Sequence, residues 1–176
     1  MKNFGFSGYD NVISIGTNGK MPEISAAMGL TGLESLGDFI SANERNRECY
    51  RQFLDGVPGV HVVPVSNTER RNLQHFVVEI DAAEAGLTRD LLVQVLHAEN
   101  ILARRYFYPG CHRMEPYRSH FPDVSGLLPA TESVCRRVLV LPTGTAVDPA
   151  QIEMICSVIR TGIAHGPAIA RARGPS

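Results

Sequence analysis

Between Glu23 and about Leu54 the chain carries no proline, while Ile24, Ala27, Met28, Leu33, Leu36, Ile40, Tyr50 and Leu54 recur at steps of three and four residues. Steps of that size put side chains on one side of a helix. Pro22 suits a first helical turn, where its missing N–H costs nothing, and Gly56-Val-Pro-Gly59 is a stop. One long helix over residues 22–55 is therefore predicted, with Asn43, Glu44, Arg45 and Glu48 as its polar middle. Gly29, Gly32 and Gly37 each cost roughly 1 kcal/mol relative to alanine inside a helix, so they are expected where another element comes close. The apolar stripe on residues 24–40 wants a partner surface. Left open, such a patch drives self-association, so a dimer, a higher oligomer or a poorly soluble protein is expected.

After the helix, β-branched and aromatic runs predict strands at His61–Val65, Leu73–Ile80, Ile101–Phe107 and Val138–Leu141. Thr88 can cap a helix whose apolar face is Leu91, Leu92, Val95 and Leu96 and whose end is marked by Asn100. Leu128-Pro129 opens a short helix through about Arg137. Asp148-Pro-Ala-Gln151 has the form of a capping box leading into Ile152, Ile155, Cys156, Ile159 and Ile163. The stretch from Tyr108 to Leu127, with its prolines, glycines and histidines, is expected to be an irregular loop of functional length. Residues 1–21 read as a turn-rich loop and residues 166–176 as a frayed, disordered tail. Together these elements predict an α+β chain: a leading helix, then one small domain over 56–165 in which helices cover a small sheet.

Composition narrows the function. The chain has 176 residues and a net charge of −1, with 44% hydrophobic and 20% charged residues, which suits a globular fold. The arginine pairs at Arg70 and Arg71, Arg104 and Arg105, and Arg136 and Arg137 are scattered, so no basic stripe points to nucleic acid. No apolar run approaches a membrane span and no signal-type start is present, which leads to the expectation of a soluble cytoplasmic protein. Cys49, Cys111, Cys135 and Cys156 lack C-x-x-C spacing, so neither a metal site nor a disulfide framework is expected. Lys2 and Lys20 are the only lysines, and arginine supplies the remaining positive charge.

The run Gly16-Thr-Asn-Gly-Lys-Met-Pro-Glu-Ile-Ser-Ala-Ala-Met-Gly29 resembles a motif of the DegT/StrS-type sugar aminotransferases. Also similar to the family are Asn3-Phe4-Gly5, the Leu33, Glu34, Leu36 spacing, and Arg105-Tyr106-Phe107-Tyr108-Pro109 with His112, Pro116 and Tyr117. The resemblance runs from residue 1 to about 163. It implies the aspartate-aminotransferase (type I pyridoxal-phosphate) fold, of which this chain would be the long helix and small C-terminal domain. It further implies a dimer with shared active sites, pyridoxal phosphate as cofactor, glutamate as amino donor and a nucleotide-linked keto sugar as substrate.

By the same resemblance Asn18 is expected to contact the cofactor phosphate, with Gly16 and Gly19 letting the backbone approach and Lys20 adding charge. Asn18 could instead merely occupy a turn, and Lys20 could be solvated. His112 and Tyr108 would border the sugar-nucleotide pocket, and Arg105 would offer its fork of donors to a diphosphate. The alternatives are packing for His112, Tyr106, Tyr108 and Tyr117, and a strand-end salt bridge for Arg105. Gly110 and Cys111 depart from the family pattern.

Transamination needs a lysine amine to hold the cofactor. In the family it comes from the large N-terminal domain, and neither Lys2 nor Lys20 matches its position, so no catalytic residue is assigned here. The chain is expected to be inactive alone and to bind the cofactor weakly or not at all. Three readings stand at this point: a part that works with a complementing large domain, a non-catalytic remnant that binds a full-length relative, and a small α+β ligand-binding domain.

Overall fold

The computed structural model describes residues 13–17, 19–66, 71–106 and 108–173. Asn18, Lys2, Phe107, most of the leading loop and the last three residues of the tail lie outside the described residues. The chain divides into two compact units, residues 1–38 and 39–176. That division falls inside the predicted connecting helix and not at its end.

The predicted helix is two helices, α1 (Glu23–Glu34) and α2 (Leu36–Leu54), separated at Ser35. Gly32, Ser35 and Gly37 are all poor helix formers, and at Ser35 the pattern of backbone bonds changes: its N–H reaches Thr31 O at 3.3 Å, while Asp38 N–H reaches back to Ser35 O. Apolar residues are spread around α1, and none of its residues is buried. A Cβ added at Gly29, Gly32 or Gly37 would meet nothing within 4 Å, so the close approach expected at these glycines is not made within the described residues.

The second unit is built on a three-stranded antiparallel sheet in the order β1 (Val60–Val62), β2 (Phe76–Ile80), β3 (Val138–Leu141). Val60 pairs with Ile80, and Phe76 with Leu141. β1 is shorter than predicted because Pro64 has no N–H to extend the ladder, whose last bond runs from Val63 N–H to Val77 O. β2 starts only at Phe76. Leu73 adopts a left-handed backbone (φ 48°), and the Asn72 side chain accepts from Gln74 N–H, a local turn that displaces the strand. The predicted strand at 101–107 is reduced to one bridge, Arg104 with Val140, before the chain turns at Tyr106.

Alternation along β2 sends Phe76, Val78 and Ile80 into the core. They meet Leu92 and Leu96 of α4 (Arg89–Ala98), Ile152, Cys156 and Ile159 of α7 (Pro149–Ala164), and Tyr50 and Leu54 of α2. A short α3 (Ala82–Ala85), capped by Asp81, follows β2, and Thr88 caps α4 by accepting from Leu91 N–H. Gly59, just before β1, has φ +69°, and a Cβ there would lie 2.5 Å from Ala85 N, so only glycine lets β1 pass α3 this closely. The irregular stretch 108–127 contains two single-turn 3₁₀ helices, Cys111–Arg113 and Val124–Leu127, and α5 (Tyr117–His120). α6 (Pro129–Arg137) leads directly into β3, and Arg137 pairs with Glu79 at 3.3 Å.

The tail expected to fray is a helix, α8 (Gly166–Arg173). Gly-Pro reads as a break, yet Pro167 stands in the first turn, where no N–H is required. Gly166 is so close to α3 that a Cβ would meet Ala85 O at 2.7 Å. The capping box of Asp148 and Gln151 is complete, each side chain bonding the other's backbone N–H.

The face of α2 that enters this unit is polar. Asn43 Nδ2 donates to Asn72 O, Asn46 Nδ2 donates to Gly144 O at 2.9 Å, and Tyr50 Oη donates to Pro142 O at 2.8 Å. Thr143 donates to Asn43 Oδ1, closing the group. The Tyr50 ring stacks on Phe76 with centroids 4.5 Å apart, and burial pushes its phenol well above the ordinary range. Tyr50→Phe is expected to keep the fold and the stack while leaving Pro142 O without its donor. The predicted loss is about 1 kcal/mol of stability, read as a lower denaturation midpoint at unchanged slope.

Candidate functional site

The residues predicted to meet a ligand fall into three groups. Gly16, Gly19 and Lys20 lie in the first unit, with Gly19 and Lys20 exposed and Gly16 half-buried. Gly19 N–H is engaged by Thr17 O at 3.0 Å, so that donor is turned into its own loop.

The second group gathers at the start of α4. Arg89 is 2% exposed; its guanidinium donates to Val138 O, to Cys135 O at 2.8 Å and to Asp90 Oδ1 at 2.8 Å. A buried arginine satisfied on every side is a fixed charge that ties α4 to the end of α6 and the start of β3. Arg105 reaches the same Asp90 oxygen at 3.3 Å, so the alternative reading of Arg105 as an ion-pair partner is realised. The guanidinium carbons of Arg105 and Arg89 lie 4.4 and 5.2 Å from the centre of the Tyr108 ring, within cation–π range. Beside them opens a surface pocket of about 400 Å³ lined by Asp90, His97, Arg104, Arg105, Tyr106 and Tyr108. His97 Nε2 is 2.8 Å from Ala103 O, which fastens this segment to α4, and the Tyr106 ring packs at 5.1 Å on His75. Two guanidiniums, Arg104 and Arg105, against the Asp90 carboxylate make this pocket suitable for an anion, and its two tyrosines suit a flat ring.

His112 belongs to a third group, on Glu132 of α6. Glu132 Oε1 accepts from His112 Nε2 at 2.7 Å and from Arg113 Nε at 2.6 Å, and Arg136 lies 3.7 Å from Oε2. The bonds from Arg113 and then His112 push the Glu132 carboxyl down to about 2, so near neutrality it is an acceptor only, and the proton on the shared bond sits on His112 Nε2. The His112 side chain is 8% exposed. Its packing role is therefore plain in the second unit, and its ring is not directed into the arginine pocket by any bond described there.

Glu132, Arg89 and Asp90 stand in no motif that marks them as site residues. Arg89 and Asp90 read as the first turn of a helix, and Glu132 falls inside the short helix opened by Leu128-Pro129; what joins them to residues 105–113 is long-range packing. Among the described residues no cluster of three or more His, Cys, Asp or Glu could hold a metal ion, and no helix is long and apolar enough to cross a membrane.

Comparison with known proteins agrees with this geometry at the level of family. The sequence pattern described as the DegT/DnrJ/EryC1/StrS aminotransferase family matches residues 1–160. The chain is 34% identical over 159 residues to the dTDP-4-amino-4,6-dideoxy-D-glucose transaminase of Escherichia coli, covering 90% of this chain and 43% of that protein. It is 27% identical over 143 residues to a dTDP-4-dehydro-2,3,6-trideoxy-D-glucose 4-aminotransferase of Saccharopolyspora spinosa, covering 81% of this chain and 35% of that protein. The crystal structure of DesI with its TDP-sugar product superposes with a TM-score of 0.86 at 43% identity, over 98% of this chain and 43% of that one. The chain thus spans less than half the length of the relatives it matches.

A carboxyl held at about 2 in the folded chain and near 4.5 when unfolded stabilises the fold above pH 4.5, and that contribution is lost as pH falls from 4.5 to about 2. Glu132→Gln is expected to show a shallower fall in melting temperature across this window than the parent chain. Parallel thermal denaturation series from pH 7 to pH 2 check it.

Proposed function

Because the chain belongs to the DegT/DnrJ/EryC1/StrS aminotransferase family, we propose that it is the C-terminal part of an aminotransferase that uses pyridoxal phosphate and glutamate to aminate a nucleotide-linked keto sugar. The observation that carries this reading is the extent of the match: residues 1–160 belong to the family pattern, yet they correspond to 43% of the relatives' length. In this reading the chain works only with a large domain, joined to it or supplied separately, and within a dimer.

The residues in hand do not by themselves fit the cofactor. Gly19 N–H is already bonded to Thr17 O, and Lys20 is exposed. Gly16, Gly19, Lys20 and Asn18, the last outside the described residues, would supply at most one edge of a phosphate site. No catalytic step is assigned to this chain.

What the chain does supply is a candidate substrate wall. Arg105 and Arg104 offer fork-shaped donors to a diphosphate, and Tyr108, held beneath Arg105, offers a face for a base or sugar. The Asp90 carboxylate holds Arg105 in place until the ligand competes for it. A second reading, a non-catalytic remnant that docks on a full-length relative, draws on the exposed apolar surface of α1.

A cofactor titration separates these. Pyridoxal-phosphate absorbance and borohydride-trapped mass are followed on the chain alone and after addition of a large domain from a related enzyme. The expected result is no adduct alone, and a lysine adduct with glutamate-dependent turnover after mixing. A specific adduct on Lys20 in the isolated chain would overturn the proposal, and no turnover in the mixture would favour the remnant.

A further inference from the structure

The loop from Tyr108 to Pro116 is held at two places. At its start the Tyr108 ring lies under Arg105 and Arg89. Four residues on, His112 and Arg113 both donate to Glu132, a carboxylate 20 residues further along the chain on the first turn of α6. The His112 and Glu132 side chains are 8% and 12% exposed, so this pair is sheltered, whereas Arg113 is half exposed and its pair is weakened by solvent.

Backbone fit joins the two anchors. Gly110 has φ +94°, and a Cβ there would lie 2.8 Å from His112 Cε1 and 3.2 Å from Cys135 Sγ. The loop is thus pressed between the imidazole and α6 with no room for a side chain. Arg113 N–H bonds Gly110 O at 3.0 Å and Met114 N–H bonds Cys111 O at 3.1 Å, which closes the turn around that contact. Between Gly110 and Tyr108 stands only Pro109, whose ring fixes φ. A shift of the His112 turn is therefore carried to Tyr108 with little slack.

We propose that Glu132 is a positioning residue for the candidate substrate pocket: by drawing His112 and Arg113 onto α6 it sets the loop that presents Tyr108 beside Arg105. Glu132 touches neither Tyr108 nor Arg105; it acts through His112 and Gly110. The departure from the family pattern at Gly110 and Cys111 gains a physical sense here, since the glycine is what lets the imidazole close over the backbone. The role as a pocket wall rests on the reading of Arg105 and Tyr108 under the proposed function, whereas the pin itself is a property of the chain without ligand.

Hydrogen exchange by NMR on the full chain tests it with Glu132→Leu, which removes the acceptor at similar bulk, and Glu132→Gln, which keeps an acceptor for His112. The expected signature is an exchange-protected, downfield Nε2–H of His112 in the parent chain, retained in Glu132→Gln and lost in Glu132→Leu. In Glu132→Leu the amides of Arg113 and Met114 should exchange roughly tenfold faster, while those of β2 and α7 are unchanged. Absence of the protected imidazole proton in the parent chain would overturn the proposal. So would loop amides in Glu132→Leu as protected as in the parent, or equal acceleration in β2 and α7, which would make Glu132 a support of the whole fold. Because no ligand enters, the pin can fail while the pocket reading stands, and a failed reconstitution in the cofactor titration bears on that reading alone.

Discussion

The second unit depends on the seam between α2 and the loop that follows β3. Asn43, Asn46 and Tyr50 point the same way along the helix, and their side chains bond Asn72 O, Gly144 O and Pro142 O. Each is a buried group with a backbone partner, and among the described residues no buried side-chain polar atom is left unsatisfied. Because the carbonyls of Pro142 and Gly144 lie just beyond β3 and that of Asn72 ahead of β2, the seam ties the helix to segments flanking two strands of the sheet. Tyr50 then carries the attachment inward through its stack on Phe76.

The same helix run contains two segments with opposite needs. α2 turns a mixed, polar face to its own unit and is satisfied there. α1 presents Ile24, Met28, Leu30 and Leu33 to solvent, each more than 60% exposed, and has no buried residue. A helix apolar on all sides is ordinarily enclosed by a larger body. The exposure of α1 and the partial coverage of the relatives named above both support the proposed reading of the chain as one part of a larger enzyme.

Much of this was legible in local pattern. Thr88, Asp148 and Gln151 cap their helices because capping is settled within four residues. The alternation of Phe76, Val78 and Ile80 marks a half-buried strand for the same reason. Breaks were harder to see: Ser35 divides a helix whose periodicity continues across it, and Pro167 begins one where Gly-Pro suggested an end. Asn43 reads only as part of a polar middle and Asn46 carries no signal of its own, since nothing local shows a carbonyl brought from residues 72 or 144. In the candidate site, Arg105, Tyr108 and His112 are named by resemblance to a family, and nothing local shows how they group. Arg105 and Tyr108 share Arg89 and Asp90, whereas His112 is held by Glu132.

In the proposed reading α1, with no buried residue of its own, is covered by another body. Sedimentation of the purified chain at micromolar concentration, beside Leu30→Glu and Leu33→Glu variants, tests it most directly. The parent chain is expected to self-associate, and either charge to reduce association without altering the circular dichroism. A parent chain that sediments as a well-behaved monomer, indistinguishable from its variants, would contradict it.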